Sequence, residues 1–258
     1  PMKQSVLEYK KLLEQEGLLV EFAEPEGKEG EDRPVTLVTY FSGGADQGTL
    51  FLCKGAAFKE AYLKDAVNRG AVAYVSEKEY EAGKEIPALI VNDARKAQFV
   101  LGEAFYDYPA KSLHVTALTG TKGKTTTTYM VKSILEEVGI KVGLIGTIEA
   151  IIGDKSIPAN NTTPESYTIQ KYFSEMVEEG CECVVMEVSS QGLKLDRTAG
   201  IPFEIGIFTN LGEDHIGPNE HKDFDEYKYC KSLLFKQSKI GIGNVDDKWF
   251  KDIFKDAT

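Results

Sequence analysis

The sequence has 258 residues, of which 42% are hydrophobic and 28% charged, with a net charge of −11 and a pI near 4.9. The length suits one large domain or two ordinary ones, and the hydrophobic share is enough for real cores. The acidic balance argues against nucleic acid as a main partner, and no apolar run approaches the ~20 residues of a membrane span.

The start, Pro1-Met2-Lys3-Gln4, lacks the apolar core of a signal peptide. Cys181 and Cys183 alternate within a strand pattern and are expected to face one side of a sheet. With Cys53 and Cys230 they read as reduced core cysteines of a cytoplasmic protein, because zinc ligands come in wider pairs with more partners.

Residues 6–19 read as an amphipathic helix, with Val6, Leu7, Leu12 and Leu13 apolar among Glu and Lys. Residues 24–33 are rich in Glu, Gly and Pro and read as loop. Strands are expected at 35–40 and 49–53, separated by the turn Ser42-Gly43-Gly44-Ala45-Asp46. A helix at 58–68 and strands at 71–75 and 88–91 follow. Asp93 then caps a helix running to Phe105, with Ala94, Ala97, Val100, Leu101 and Ala104 on its inner face. Residues 1–110 are therefore expected to form a small α/β domain for binding or recognition, with no catalytic cluster of its own.

A second domain is expected over 111–258. Its pattern is strand 113–118, helix 124–138, strand 141–145, a β-rich excursion at 147–157, helix 165–179, strand 182–188 and strand 204–209. Helix 223–235, strand 239–242 and helix 247–255 complete it. Strands alternating with helices imply an α/β fold with a mostly parallel sheet, which binds ligands beyond the C-terminal ends of its strands.

The residues after those strands fit that expectation. Gly120-Thr121-Lys122-Gly123-Lys124-Thr125-Thr126 follows an apolar strand and opens a helix, which is the build of a phosphate-binding loop. Glycine lets backbone N–H groups surround an anion, and the helix N-terminus adds partial positive charge. Lys124 would reach the terminal phosphates of ATP, and the Thr125 hydroxyl would hold Mg²⁺. The bland alternative is a glycine turn before a helix. Only two residues separate Gly120 and Gly123, where the common loop has four.

Glu187 ends the strand Cys183-Val184-Val185-Met186, a position from which an acid serves Mg²⁺ in phosphate-loop proteins. His215 follows a third strand end, beside Asp214, and is a candidate for the metal or phosphate site. His221 fits a site role or a plain turn equally well. Thr163 reads as an N-cap with Pro164 at the first helical position, and such a helix start also suits an anion. Arg197 could clamp a substrate carboxylate, or be a solvated charge. By spacing alone, Lys231 is a helix surface lysine.

Residues 119–126 resemble the short phosphate loop of the Mur ligase family. Asn161-Thr162-Thr163-Pro164-Glu165 and Met186-Glu187-Val188-Ser189-Ser190-Gln191-Gly192-Leu193 are similar to the family's UDP-N-acetylmuramoyl-dipeptide branch, the MurE-like ligases. So are Phe208-Thr209-Asn210-Leu211 with Asp214-His215, residues 227–235, and Asn244-Val245-Asp246-Asp247. The matches run in order over 113–247, and the likeness over 1–110 is weaker.

The resemblance implies an ATP-dependent ligase of peptidoglycan synthesis. It would join an amino acid to a UDP-linked muramoyl-peptide through an acyl phosphate. Lys124 would bind phosphate, Thr125 and Glu187 would serve one Mg²⁺, and His215 with a carbamylated Lys231 would serve a second. Asn161, Thr162, Thr163, Ser189 and Arg197 would contact the muramoyl-peptide. Of the family's Asp-Ser-Arg segment that meets the uridine nucleotide, Tyr40-Phe41-Ser42-Gly43 keeps Ser42. His221 stands two residues further from His215 than in the family's usual motif.

The chain stops at Thr258, before the central sheet reads as complete, so it reads as lacking the family's C-terminal domain. It is expected to bind nucleotide weakly and not to ligate alone. Two other readings stay open. One is a Mur-like ligase for another acid, of the folylpolyglutamate or cyanophycin type. The other is a non-catalytic nucleotide-binding relative.

Overall fold

The computed structural model describes residues 4–55, 57–213, 216–217, 220–255 and 257. The chain divides into two compact units, Pro1–Asp107 and Tyr108–Thr258.

In chain order the first unit holds α1 (Val6–Gln15), β1 (Leu19–Ala23), β2 (Leu37–Thr39), β3 (Thr49–Leu52), α2 (Glu60–Asn68), β4 (Ala71–Ser76), β5 (Ala88–Val91) and α3 (Ala94–Phe105). Its sheet runs β1-β5-β4-β3-β2, with β2 to β5 parallel and β1 antiparallel at the edge. Ser5 caps α1, and Glu8 returns a bond to the Ser5 N–H. This helix ends at Gln15, short of the expected residue 19. The apolar periodicity continues to Leu19, but Leu19 already pairs with Val91 of β5. A pairing across 72 residues of chain leaves no local trace. Asp93 caps α3 as expected, accepting from the N–H groups of Arg95 and Lys96, both at 3.0 Å. Phe51, Leu63, Tyr74 and Ile90 centre the core of this unit.

The second unit holds β6 (His114–Thr119), α4 (Lys124–Glu137), β7 (Val142–Ile145), β8 (Glu149–Ile152), β9 (Lys155–Pro158), α5 (Ser166–Glu178), β10 (Cys183–Glu187), α6 (Ser190–Lys194), β11 (Phe203–Phe208), α7 (Phe224–Lys236), β12 (Ser238–Gly243) and α8 (Phe250–Ile253). Its sheet runs β12-β11-β6-β10-β7-β8-β9. The first five of these are parallel, and β8 and β9 form the antiparallel excursion. Leu118, Val142 and Val185 form a core that Val131 and Leu135 of α4 cover. Helix α8 is shorter than the expected 247–255, and Asp247 lies outside it, accepting from the Leu211 N–H at 2.9 Å and from the Trp249 N–H at 2.8 Å.

Register places the site. Glu187 of β10 lies opposite Leu118 of β6, and Phe208 of β11 opposite Thr119. The segments that follow these three central strands therefore emerge side by side at one edge of the sheet. This is where open α/β sheets bind ligands.

Candidate active site

The loop after β6 is held open by glycines. Gly123 sits at φ +86 as the N-cap of α4, and no side chain caps the helix start. The leading N–H groups of a helix have no partner within it, so an uncapped start is suited to an anion. Gly120 lies at φ +150, and a Cβ there would fall 2.0 Å from Thr209 Oγ1. The loop is strapped to the end of β11 at several points. Thr209 Oγ1 donates to the Lys122 carbonyl at 2.8 Å, and Asn210 Oδ1 accepts from the Lys122 N–H at 3.0 Å. The Thr121 N–H donates to the Asn210 carbonyl at 2.9 Å.

Two lysines converge on one oxygen. Lys124 Nζ donates to the Gly120 carbonyl at 2.7 Å, and Lys231 Nζ donates to the same carbonyl at 3.1 Å. Lys231 is 2% exposed and stands 4.6 Å over the Tyr227 ring. This corrects its reading as a surface lysine. The spacing of α7 cannot reveal that its inward face meets a loop 111 residues upstream. Two cations drawn to one carbonyl make a site for an anion.

Glu187 is fully buried, and among the described residues its carboxylate accepts from donors alone. Thr125 Oγ1 donates to its Oε2 at 3.0 Å, and Thr147 donates its N–H to Oε1 and its hydroxyl to Oε2, both at 2.9 Å. A carboxylate beside a hydroxyl is a hard oxygen pair, the donor set that Mg²⁺ takes. Thr125 and Glu187, expected to serve one Mg²⁺, are therefore in contact.

Thr163 is not an N-cap. Its hydroxyl donates to the Glu187 carbonyl at 3.1 Å and accepts from the Ser189 N–H at 2.9 Å. These bonds commit the hydroxyl's one proton to the end of β10, and the α5 cap falls to Glu165, whose side chain makes no capping bond. Arg197 is no solvated charge, with a side chain only 14% exposed. It pairs with Glu165 at 3.1 Å and donates to the Thr163 carbonyl at 3.0 Å.

These residues line a cleft of about 320 Å³. Lys124, Asn161, Thr162, Ser189, Arg197 and Lys231 all reach it, joined by Ser190, Gln191, Glu220 and His221. His221 is fully buried, with Nε2 2.9 Å from Ser190 Oγ and Nδ1 3.5 Å from Glu226. The second distance is long for a hydrogen bond, and among the described residues Nδ1 has no hydrogen-bond partner. Burial first, then Lys194, holds the His221 imidazole below its usual range, so it is neutral at pH 7. Lys194 also draws the Glu226 carboxyl down to about 2.

His215 and Asp214 lie outside the described residues. Ser42 belongs to the first unit, where it bonds Asp65 from a short helical turn, Ser42–Gly44. Thr147, Ser190, Gln191 and Glu220 were not singled out by the sequence reading. Thr147 could have been, since it stands two residues after β7, at the same sheet edge.

The Mur ligase middle domain matches residues 118–258. The chain is 46% identical over 222 residues to the UDP-N-acetylmuramoyl-L-alanyl-D-glutamate--2,6-diaminopimelate ligase 1 of Clostridium acetobutylicum, covering 85% of this chain and 46% of that protein. It is 43% identical over 230 residues to the UDP-N-acetylmuramyl-tripeptide synthetase of Limosilactobacillus reuteri, covering 88% and 44%. A solved UDP-N-acetylmuramoyl-L-alanyl-D-glutamate--2,6-diaminopimelate ligase shares the fold with a TM-score of 0.74 and 24% identity, over 86% of this chain and 46% of that one. The chain spans about half the length of the curated relatives it matches.

Proposed function

The chain belongs to the Mur ligase family, and from that premise we propose that it carries the ATP site and the carboxylate site of a UDP-N-acetylmuramoyl-dipeptide ligase in peptidoglycan synthesis. The observation that supports this most is the cleft itself. Lys124 and Lys231 from the phosphate side meet Asn161, Thr162, Ser189 and Arg197 from the substrate side around one space.

ATP binds along residues 120–126, with the uncapped start of α4 and Lys124 facing its phosphates. Thr125 and Glu187 hold Mg²⁺, which neutralises phosphate charge when bound. A substrate carboxylate oxygen attacks the γ-phosphorus, giving an acyl phosphate and ADP. The amino acid's nitrogen then attacks the acyl carbon. A C–N bond forms, the C–O bond to phosphate breaks, and the amine gives up a proton. The protein's part is to align the carboxylate with the phosphate and to balance charge. Asn161, Thr162, Ser189 and Arg197 hold the muramoyl-peptide, with Arg197 already fixed by Glu165, while the buried Thr163, expected to join them, instead fixes the end of β10 behind Ser189.

Carbamylation of Lys231 fits the same space. A carbamate would keep an N–H for the Gly120 carbonyl, remove one of the two cations there, and supply an anion able to serve a second Mg²⁺, for which His215 is the other candidate ligand. The first unit, with Ser42, takes the uridine end, and a cytoplasmic location goes with these substrates. The test is ADP release by the full-length protein with UDP-N-acetylmuramoyl-L-alanyl-D-glutamate and an amino acid, against folate and other acids. Release that follows the muramoyl substrate supports the proposal. Release that follows another acid assigns a different ligase.

A further inference from the structure

The turn between β7 and β8 carries a threonine outside every motif. Thr147 donates through both N–H and hydroxyl to the Glu187 carboxylate. The same hydroxyl stands 3.1 Å from Thr162 Oγ1, and Thr162 lines the cleft. On the other side Thr125 donates to the same Glu187 oxygen. An unbroken chain of contacts therefore runs from the phosphate loop to the cleft wall.

A hydroxyl has one proton to donate. While Thr147 gives its proton to Glu187, Thr162 must be the donor in the contact between the two threonines. Thr162 then offers only lone pairs to the cleft. A carboxylate also offers only lone pairs, so the two do not bond. When a cation takes that oxygen of Glu187, Thr147 is free to turn its proton toward Thr162. The Thr162 proton is then released toward the cleft, where a carboxylate can accept it.

We propose that Thr147 is a positioning residue that couples the two halves of the site, by reversing the donor direction of Thr162 when a cation binds at Glu187. This rests on the reading that Thr125 and Glu187 hold the nucleotide's Mg²⁺ and that the cleft takes a carboxylate.

The test is calorimetric. The Kd of ADP with Mg²⁺ is measured with and without UDP-N-acetylmuramoyl-L-alanyl-D-glutamate, and the ratio of the two is the coupling. The wild-type ratio is expected at about fivefold, the scale of one neutral hydrogen bond. Thr147→Val should bring the ratio to about one, whatever it does to each Kd, and Thr147→Ser should restore it. Thr147 is exposed, so neither change disturbs a core. Thr162→Val should abolish the ratio from the other side. A Thr147→Val ratio equal to wild type overturns the inference, as does a Thr147→Ser ratio no better than that of Thr147→Val. A wild type that binds both ligands without coupling overturns this inference alone. A wild type that binds neither overturns the proposed function.

Discussion

The two units are built alike and equipped differently. Each has parallel strands flanked by helices. In the first unit, β3 ends in Leu52 and is followed by Cys53, both buried, and β4 ends in Ser76, whose hydroxyl bonds the Lys78 carbonyl. Its groove lies elsewhere, between α2 and the turn at 81–83, lined by Glu60, Lys64, Glu81 and Glu85 among others. In the second unit, β6, β10 and β11 end in a glycine loop, a buried glutamate and a Thr-Asn pair that bond to one another. A parallel sheet supplies an edge with N–H groups and room. The side chains placed just after the strands decide whether that edge binds anything.

The largest expected effect is at Lys124. Lys124→Ala should weaken binding of ADP with Mg²⁺ by about 100-fold, the scale of losing one partner of a desolvated charge contact. Lys64→Ala, in the first unit's groove, should leave it unchanged. Calorimetry on both variants checks the contrast, and equal losses would break it. Next comes Glu187→Gln, which keeps shape and removes charge. The gain in ADP affinity on adding Mg²⁺ should shrink by about tenfold, read from Mg²⁺ titrations.

A smaller effect separates the units by pH. All three histidines lie in the second unit. The folded-state pKa of His221 is lowered, so its contribution to stability is complete above the unfolded value near 6.5. As pH falls below that, the unfolded chain takes up the proton first, and stability is lost as pH drops toward the folded value. The melting temperature should therefore fall between pH 7 and 5, and less steeply in His221→Asn. Equal slopes in the two proteins would remove His221 as the source. The smallest effect is at Lys194, whose pair with Glu226 holds that carboxyl at about 2. This contribution is present above about 4.3 and lost as pH falls toward 2. Lys194→Met should flatten the melting profile in that acid range, and also ease the fall between pH 7 and 5, because Lys194 helps to hold His221 low.

Much of the site could be read from the sequence, for a physical reason. The phosphate loop is a run of neighbours, and its glycines, lysine and threonines act together because they are consecutive. Glu187 was found by a rule about strand ends that needs only the strand. The sheet edge and the α3 cap at Asp93 are local in the same sense. What stayed hidden depends on distant chain. Lys231 looks like a surface residue until Gly120 arrives beside it. Thr163 looks like a helix cap until the end of β10 takes its hydroxyl. Leu19 continues a helical pattern until β5 claims it for a strand. In each case a local preference gave way to a partner many residues away.

The most direct test is hydrogen exchange on the chain with and without ADP and Mg²⁺. The account predicts added protection at residues 120–127 and around Glu187, with the strands of the first unit unchanged. Protection confined to the first unit, or none at the loop, would contradict it.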